Sequence, residues 1–270
     1  MTNREYHADN SRISKSGLDL INKTPAHYYY AHLDPNRKPR NDFDAEKFFK
    51  DGTAAHSIIC EPSEFERNYI VRPNSTRTFG ASKDAETFES IAAGRTIIDV
   101  KTYDLVMRLR DAVYKHPVAK ALLRSGKPEE TIQWTDPTTG AACKCRPDWQ
   151  SDLKFIVDLK TTDDVSESAF ARSSAKYRYY VQDAFYMDGF EAAKGWRPDG
   201  FVLIAVEKNP PYQVEIFTHT QEDVELGRQH YLANLATYTE CLRTGVWPNY
   251  RDRKVKILKL PSYLTNQNNQ

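Results

Sequence analysis

Phe201-Val202-Leu203-Ile204-Ala205-Val206 is an unbroken apolar run, bounded by Gly200 on one side and by Glu207-Lys208-Asn209-Pro210 on the other. It is short for a helix and rich in residues that favour extended backbone, so it reads as a strand buried on both faces. Such a strand needs apolar cover above and below, which packed helices supply. The flanking sequence offers that cover. A long amphipathic helix is expected over about 166–194 and another over about 221–244, with a partner strand over 212–218. Three more strands are expected at 130–135, 141–149 and 154–161, around the turn signal Asp136-Pro137-Thr138-Thr139-Gly140. The fold class that follows is α/β, with a mixed central sheet flanked by helices.

The first half of the chain has a different texture. A short helix capped by Ser14 or Ser16 ends before Pro25, and a Pro- and Asn-rich loop covers 34–42. Helical spacing runs from 43 to 60 and stops at Pro62, a loop covers 72–82, and helices follow at 83–93 and 102–124, the last interrupted near Pro117. We expect one domain over 1–265, with a helical part over about 1–125, an α/β core over about 126–248 and a polar tail at 266–270.

Composition excludes several classes. With 40% apolar and 28% charged residues, the chain is neither a disordered polymer nor a fibrous repeat. No stretch is long and apolar enough for a membrane span, and the N-terminus has no apolar export segment, so we expect no membrane contact and a cytoplasmic location. The four cysteines, at 60, 143, 145 and 241, make neither a disulfide framework nor a CxxC metal site. Lys plus Arg is 38 and Asp plus Glu is 37, which argues against uniform coating of nucleic acid. Local basic segments remain, at 67–83, 101–127 and 251–259; the last reads equally as a solvated tail or a channel lining.

The chemistry concentrates in Arg146-Pro147-Asp148-Trp149 and, across a turn, Asp158-Leu159-Lys160. Side chains alternate along a strand, so Asp158 and Lys160 share one face, while Val157 and Leu159 point to the other. A hairpin through 150–152 brings Asp148 towards Asp158. Two close carboxylates repel, and a hard divalent cation removes the conflict, because Mg²⁺ takes oxygen ligands and keeps several waters. Such an ion polarises a phosphoryl oxygen and acidifies bound water, and a neighbouring ammonium steadies developing negative charge. A lone Asp-x-Lys pair would be an ordinary surface ion pair. On the following helix Arg178, Gln182 and Tyr186 fall on one face, which could hold a nucleic-acid backbone but taken alone reads first as an ordinary solvated face.

Pro147-Asp148, Asp158-Leu159-Lys160 and Gln182-x-x-x-Tyr186 together resemble the signature of the PD-(D/E)xK nucleases, in their RecB-like branch. Ile13-Ser14-Lys15-Ser16, Thr24-Pro25-Ala26, Gly52-Thr53-Ala54-Ala55-His56, Cys143-Lys144-Cys145-Arg146 and Val181-Gln182-Asp183-Ala184-Phe185-Tyr186 narrow the likeness to the RecE, or exodeoxyribonuclease VIII, family of nuclease domains. The order and spacing of these short segments carry the resemblance. It implies a Mg²⁺-dependent, ATP-independent hydrolase, with Mn²⁺ as a substitute, that degrades linear double-stranded DNA in the 5′→3′ direction. The 3′ single-stranded tail would serve recombination beside an annealing protein of the RecT type, and the nuclease would be a homo-oligomer, in that family a ring-shaped tetramer. It further implies metal binding by Asp148, Asp158, the Leu159 carbonyl and His56, with Lys160 catalytic, Gln182 and Tyr186 lining the site, and Glu129 as an additional acidic position. By composition alone His56 would be a satisfied helical histidine. The long N-terminal region of RecE-type proteins has no counterpart here, so the chain reads as a compact phage or prophage version or as an excised portion. The rivals are a metal-dependent endonuclease or flap nuclease with the same core, and a non-catalytic DNA-end-binding protein.

Overall fold

The computed structural model describes residues 1, 3–37, 52–72, 90–250, 255 and 257–258. The chain enters through helices α1 (Asn3–Ala8), α2 (Lys15–Lys23) and α3 (Pro25–His32). Ser14 caps α2 by accepting from the Gly17 N–H, and Pro25 opens α3, where its missing N–H costs nothing. Helix α4 (52–60) is followed at Pro62 by α5 (Pro62–Asn68). Strands β1 (Tyr69–Arg72) and β2 (Thr96–Asp99) pair in parallel. Helices α6 (Val100–Lys115) and α7 (Pro117–Leu122) part at His116, the interruption expected from Pro117. The rest of the expected helix over 43–60, most of the expected loop at 72–82 and helix at 83–93, and the tail at 266–270 lie outside the described residues.

The core holds β3 (Gly126–Pro128), β4 (Ile132–Thr135), β5 (Ala142–Cys145), β6 (Trp149–Ser151), β7 (Phe155–Thr162), α8 (Glu167–Tyr177), α9 (Tyr179–Lys194), β8 (Gly200–Glu207), β9 (Val214–Phe217) and α10 (Gln221–Thr244). Five strands form one sheet in the order β3-β6-β7-β8-β9, with β7 and β8 parallel and the other neighbours antiparallel. The apolar run at 201–206 is indeed buried throughout. Phe201, Leu203 and Ala205 enter a cluster with α2, α9 and α10, whereas Val202, Ile204 and Val206 enter a second cluster with α4, α5 and α6. Strict alternation along one strand thus splits the core into two layers. Among the described residues no helix is long and apolar enough to cross a membrane.

Three expectations need correction. The segment 141–149 is not one strand: β5 pairs only with β4 in a separate two-stranded ladder, while β6 joins the central sheet. Pro147, which has no N–H to give a ladder, lies in the crossing between them. The segment 166–194 is not one helix either, because Arg178 adopts φ +57° and divides α8 from α9. Nor does α9 carry a solvated face. Gln182 and Tyr186 are buried along with Val181, Ala184 and Phe185: Gln182 packs on Asp158 and Lys160 and Tyr186 on Phe201, while α10 lies close against Tyr180 and Val181. That approach depends on Gly227: a Cβ there would stand 2.2 Å from the Tyr180 carbonyl oxygen.

Candidate active site

The site grows from the β6–β7 hairpin, whose register sets Trp149 opposite Val157 and Gln150 opposite Ile156. Asp148 precedes the first paired position and therefore reaches beyond it towards 158–160. Its Oδ2 accepts from the Leu159 N–H at 2.7 Å. An N–H and C=O of one strand residue leave by the same edge, so the Leu159 carbonyl also lies on the Asp148 side rather than in the ladder to β8. Helix α4 adds His56, whose Nδ1 is 3.0 Å from Asp148 Oδ2.

Helix α9 closes the other side. The Gln182 amide donates through Nε2 to Asp158 Oδ1 at 2.5 Å and accepts through Oε1 from Lys160 Nζ at 3.3 Å. Lys160 Nζ also stands 2.5 Å from Asp158 Oδ2 and 4.5 Å from the centre of the Tyr179 ring. The contact with Asp158 Oδ2 is a close, buried ion pair.

Electrostatics divide the two acids. Burial opposes the charge of Asp148, but His56, Lys160 and the Leu159 N–H outweigh it and hold the carboxyl below its ordinary range. At Asp158 burial dominates, the charge of Asp148 adds to it, and the pull of Lys160 does not cancel them, so this carboxyl is raised. Burial likewise opposes the Lys160 charge, yet Asp158 and Asp148 prevail and keep it an ammonium. His56 follows the same pattern: burial disfavours its protonated ring, and Asp148 more than compensates.

His56, Lys160 and Gln182 line a cavity of about 500 Å³ whose walls also include Glu129, Leu159, Thr161, Tyr179 and Tyr186. Glu129, with φ +49°, binds Arg146 Nε at 2.7 Å; burial, then the charge of Asp148, raises its carboxyl to about 7. The cavity thus gathers Leu159, Lys160, His56, Gln182, Tyr186 and Glu129, and Asp148 and Asp158 stand behind this wall, Asp148 against Leu159 and His56 and Asp158 against Lys160 and Gln182. It does not gather Arg178, which turns away to Asp19 Oδ1 at 2.9 Å and Asn234 Oδ1 at 2.8 Å and braces α2, α9 and α10 together. Sequence reasoning missed Tyr179, because its place beside Lys160 depends on the break at Arg178. It also gave no role to Arg146, although that residue stands two before Asp148.

The donor set suits a hard cation. No three His, Cys, Asp or Glu side chains among the described residues form a metal-holding group, so a thiolate- or imidazole-rich centre is not available there. Two carboxylates and a strand carbonyl match an ion that retains much of its water.

A family model described as a PDDEXK-like domain of unknown function (DUF3799) matches residues 14–258. No curated protein matches the chain. Among solved structures, a protein from Eubacterium rectale described as an exonuclease aligns over 99% of this chain and 98% of its own, with a TM-score of 0.61 and 15% identity. A phage-related exonuclease from Haemophilus somnus 129PT aligns over 85% and 95%, with a TM-score of 0.36 and 12% identity. An alkaline exonuclease from Laribacter hongkongensis aligns over 68% and 97%, with a TM-score of 0.27 and 12% identity. Of these three, the first establishes a shared fold.

Proposed function

The chain belongs to the PDDEXK-like family DUF3799, and we propose that it is a divalent-metal-dependent exodeoxyribonuclease acting on linear double-stranded DNA. The observation that carries this reading is the convergence of Asp148, Asp158, Lys160 and Gln182, through direct contacts, at the wall of a cavity lined by Leu159, Lys160 and Gln182. Nucleases of this superfamily generally use divalent metal ions. Asp148 and Asp158, with the Leu159 carbonyl, would hold the ion, Mg²⁺ or Mn²⁺; bound there, it polarises a phosphoryl oxygen and acidifies water.

The chain's own groups do the rest. Lys160 is an ammonium, so it serves as a donor: it orients the attacking water or stabilises charge growing on the phosphoryl oxygens, and it does not take a proton. Gln182 fixes Lys160 and Asp158 relative to each other through the two ends of one amide. His56 holds Asp148, leaving that carboxylate charged and oriented. Tyr186 and Tyr179 form apolar walls beside the reacting groups.

The finer reading is 5′→3′ degradation without ATP, leaving a 3′ tail for single-strand annealing with a RecT-type partner inside a bacterial cell, by a homo-oligomeric ring. The resemblance to RecE-type domains supports it. A ring also reconciles a net charge of +1 with DNA binding, since several subunits can aim local cations at one channel. Exposed Lys101, Arg108, Lys115, Lys120 and Arg124 on α6, on α7 and just beyond α7 suit that use. Of the other two basic segments, 73–83 and most of 251–259 lie outside the described residues.

Timed digestion of linear duplex labelled at either end of one strand, beside supercoiled circular DNA, tests the reading. An exonuclease of this polarity releases the 5′ label first and leaves the circle intact. Nicking of the circle would indicate an endonuclease, and no Mg²⁺-dependent release would indicate an end-binding protein.

A further inference from the structure

Lys144 and Arg146 stand two apart at the end of β5, and their donors are used very differently. Lys144 Nζ is spent on the fold, donating to the carbonyl oxygens of Tyr6 and Asp9, each at 2.5 Å. Arg146 gives Nε to Glu129 and lays its guanidinium over the Tyr6 ring, with Cζ 5.8 Å from the centroid. Its Nη1 is buried and has no hydrogen-bond partner among the described residues, although Arg146 lines the same cavity as Lys160 and Gln182. A guanidinium carries five N–H donors in a fixed fork, and buried ones are almost always satisfied.

The missing acceptor is an anion. Glu129 already occupies Nε, so the fork is oriented and its outer nitrogen is left for a second oxygen. Lys15 and Lys160 line the same cavity. Guanidinium and phosphate are complementary in charge and in fork geometry.

We propose that Arg146 forms a phosphate subsite, with Nη1 donating to a non-bridging oxygen of one phosphodiester of the DNA strand that enters the cavity. This rests on the nuclease reading above and assigns it a positioning contact. Glu129 then serves to aim Arg146, in addition to any closer role at the site.

The test is a walk of single methylphosphonate linkages, each removing one phosphate charge, along the terminal linkages of a short duplex. Binding is measured by fluorescence anisotropy with Ca²⁺ in place of Mg²⁺, for the wild type, Arg146→Ala and Arg146→Lys. We expect one linkage whose neutralisation weakens wild-type binding by about ten- to a hundredfold. Both variants should bind the natural duplex more weakly by a similar factor and lose no more when that linkage is neutral. Arg146→Lys keeps a charge opposite Glu129 and provides a folded comparison if Arg146→Ala does not fold. A merely structural arginine would weaken binding to every duplex alike. Variants that keep the full wild-type sensitivity at every linkage would overturn the proposal. Mg²⁺-dependent nucleotide release by the same wild-type preparation separates the two failures: its absence removes the nuclease reading, while its presence with an unchanged linkage profile removes the subsite alone.

Discussion

Gln182 Nε2 lies 2.5 Å from Asp158 Oδ1, and the oxygen of the same amide accepts from Lys160. One neutral side chain therefore spans the carboxylate and the ammonium on which the proposed chemistry depends. Replacing it disturbs geometry without changing charge. Gln182→Ala should lower kcat by about a hundredfold, as expected for a displacement of about 1 Å at a reacting centre. KM and the thermal midpoint should move little. Steady-state kinetics beside a melting curve check this; an unchanged kcat would show that Gln182 does not position Lys160.

Loading of the ion can be followed without turnover. Mg²⁺ or Mn²⁺ should raise the melting temperature of the wild type in a concentration-dependent way, because a ligand that binds only the folded state stabilises it. Asp148→Asn and Asp158→Asn should abolish that rise. Ca²⁺ should support DNA binding with little cleavage, since the larger ion takes more ligands in looser geometry. Differential scanning calorimetry across a metal series reads the effect directly.

The catalytic strand pair was legible in the sequence because it depends on local rules. Alternation along 154–161 fixes Asp158 and Lys160 on one side, and a hairpin needs only a turn signal to bring Asp148 near them. Both layers of the core follow from 201–206 by the same alternation. What was not legible depends on distant contacts. The break at Arg178 is held by Asp19 and Asn234, which lie 159 and 56 residues away in the chain. A continuous helix would have put Arg178 on the Gln182 and Tyr186 face and left Tyr179 unassigned. The separation of β5 from β6 likewise depends on which sheet each joins, and period-two patterning is the same in either. His56 was within reach only through family resemblance, since an isolated histidine on a helix gives no signal of its partner.

Helix α9, which carries Gln182, packs closely on α10 at Gly227. Gly227→Ala would place a methyl against the Tyr180 carbonyl and force the two helices apart. We expect a loss of about 1–3 kcal/mol from overpacking, together with reduced activity through α9. Chemical denaturation measures the first part; stability equal to wild type would show that the interface yields at no cost.

Asp188 on α9 accepts from Arg228 Nε at 2.7 Å, Tyr231 Oη at 2.7 Å and Arg197 Nη1 at 2.8 Å. Burial opposes its charge, but these three partners outweigh it and hold the carboxyl below the ordinary 3.8. A depressed folded-state pKa stabilises the fold above the unfolded value and loses that contribution as pH falls through the folded one. Asp188→Asn should therefore be less stable than wild type at pH 7, with the difference shrinking in acid below about pH 4. Urea denaturation at a series of pH values tests it, and a difference independent of pH would point to packing instead.

The central claim is that Asp148, Asp158 and Lys160 act together on a phosphodiester at a DNA end. The most direct measurement is the rate of acid-soluble nucleotide release from linear duplex in Mg²⁺, comparing wild type with Asp158→Asn and Lys160→Met. The account predicts steady release by the wild type and a loss of at least about a thousandfold in each variant, with melting temperatures still close to wild type. Release by either well-folded variant at near the wild-type rate would contradict it.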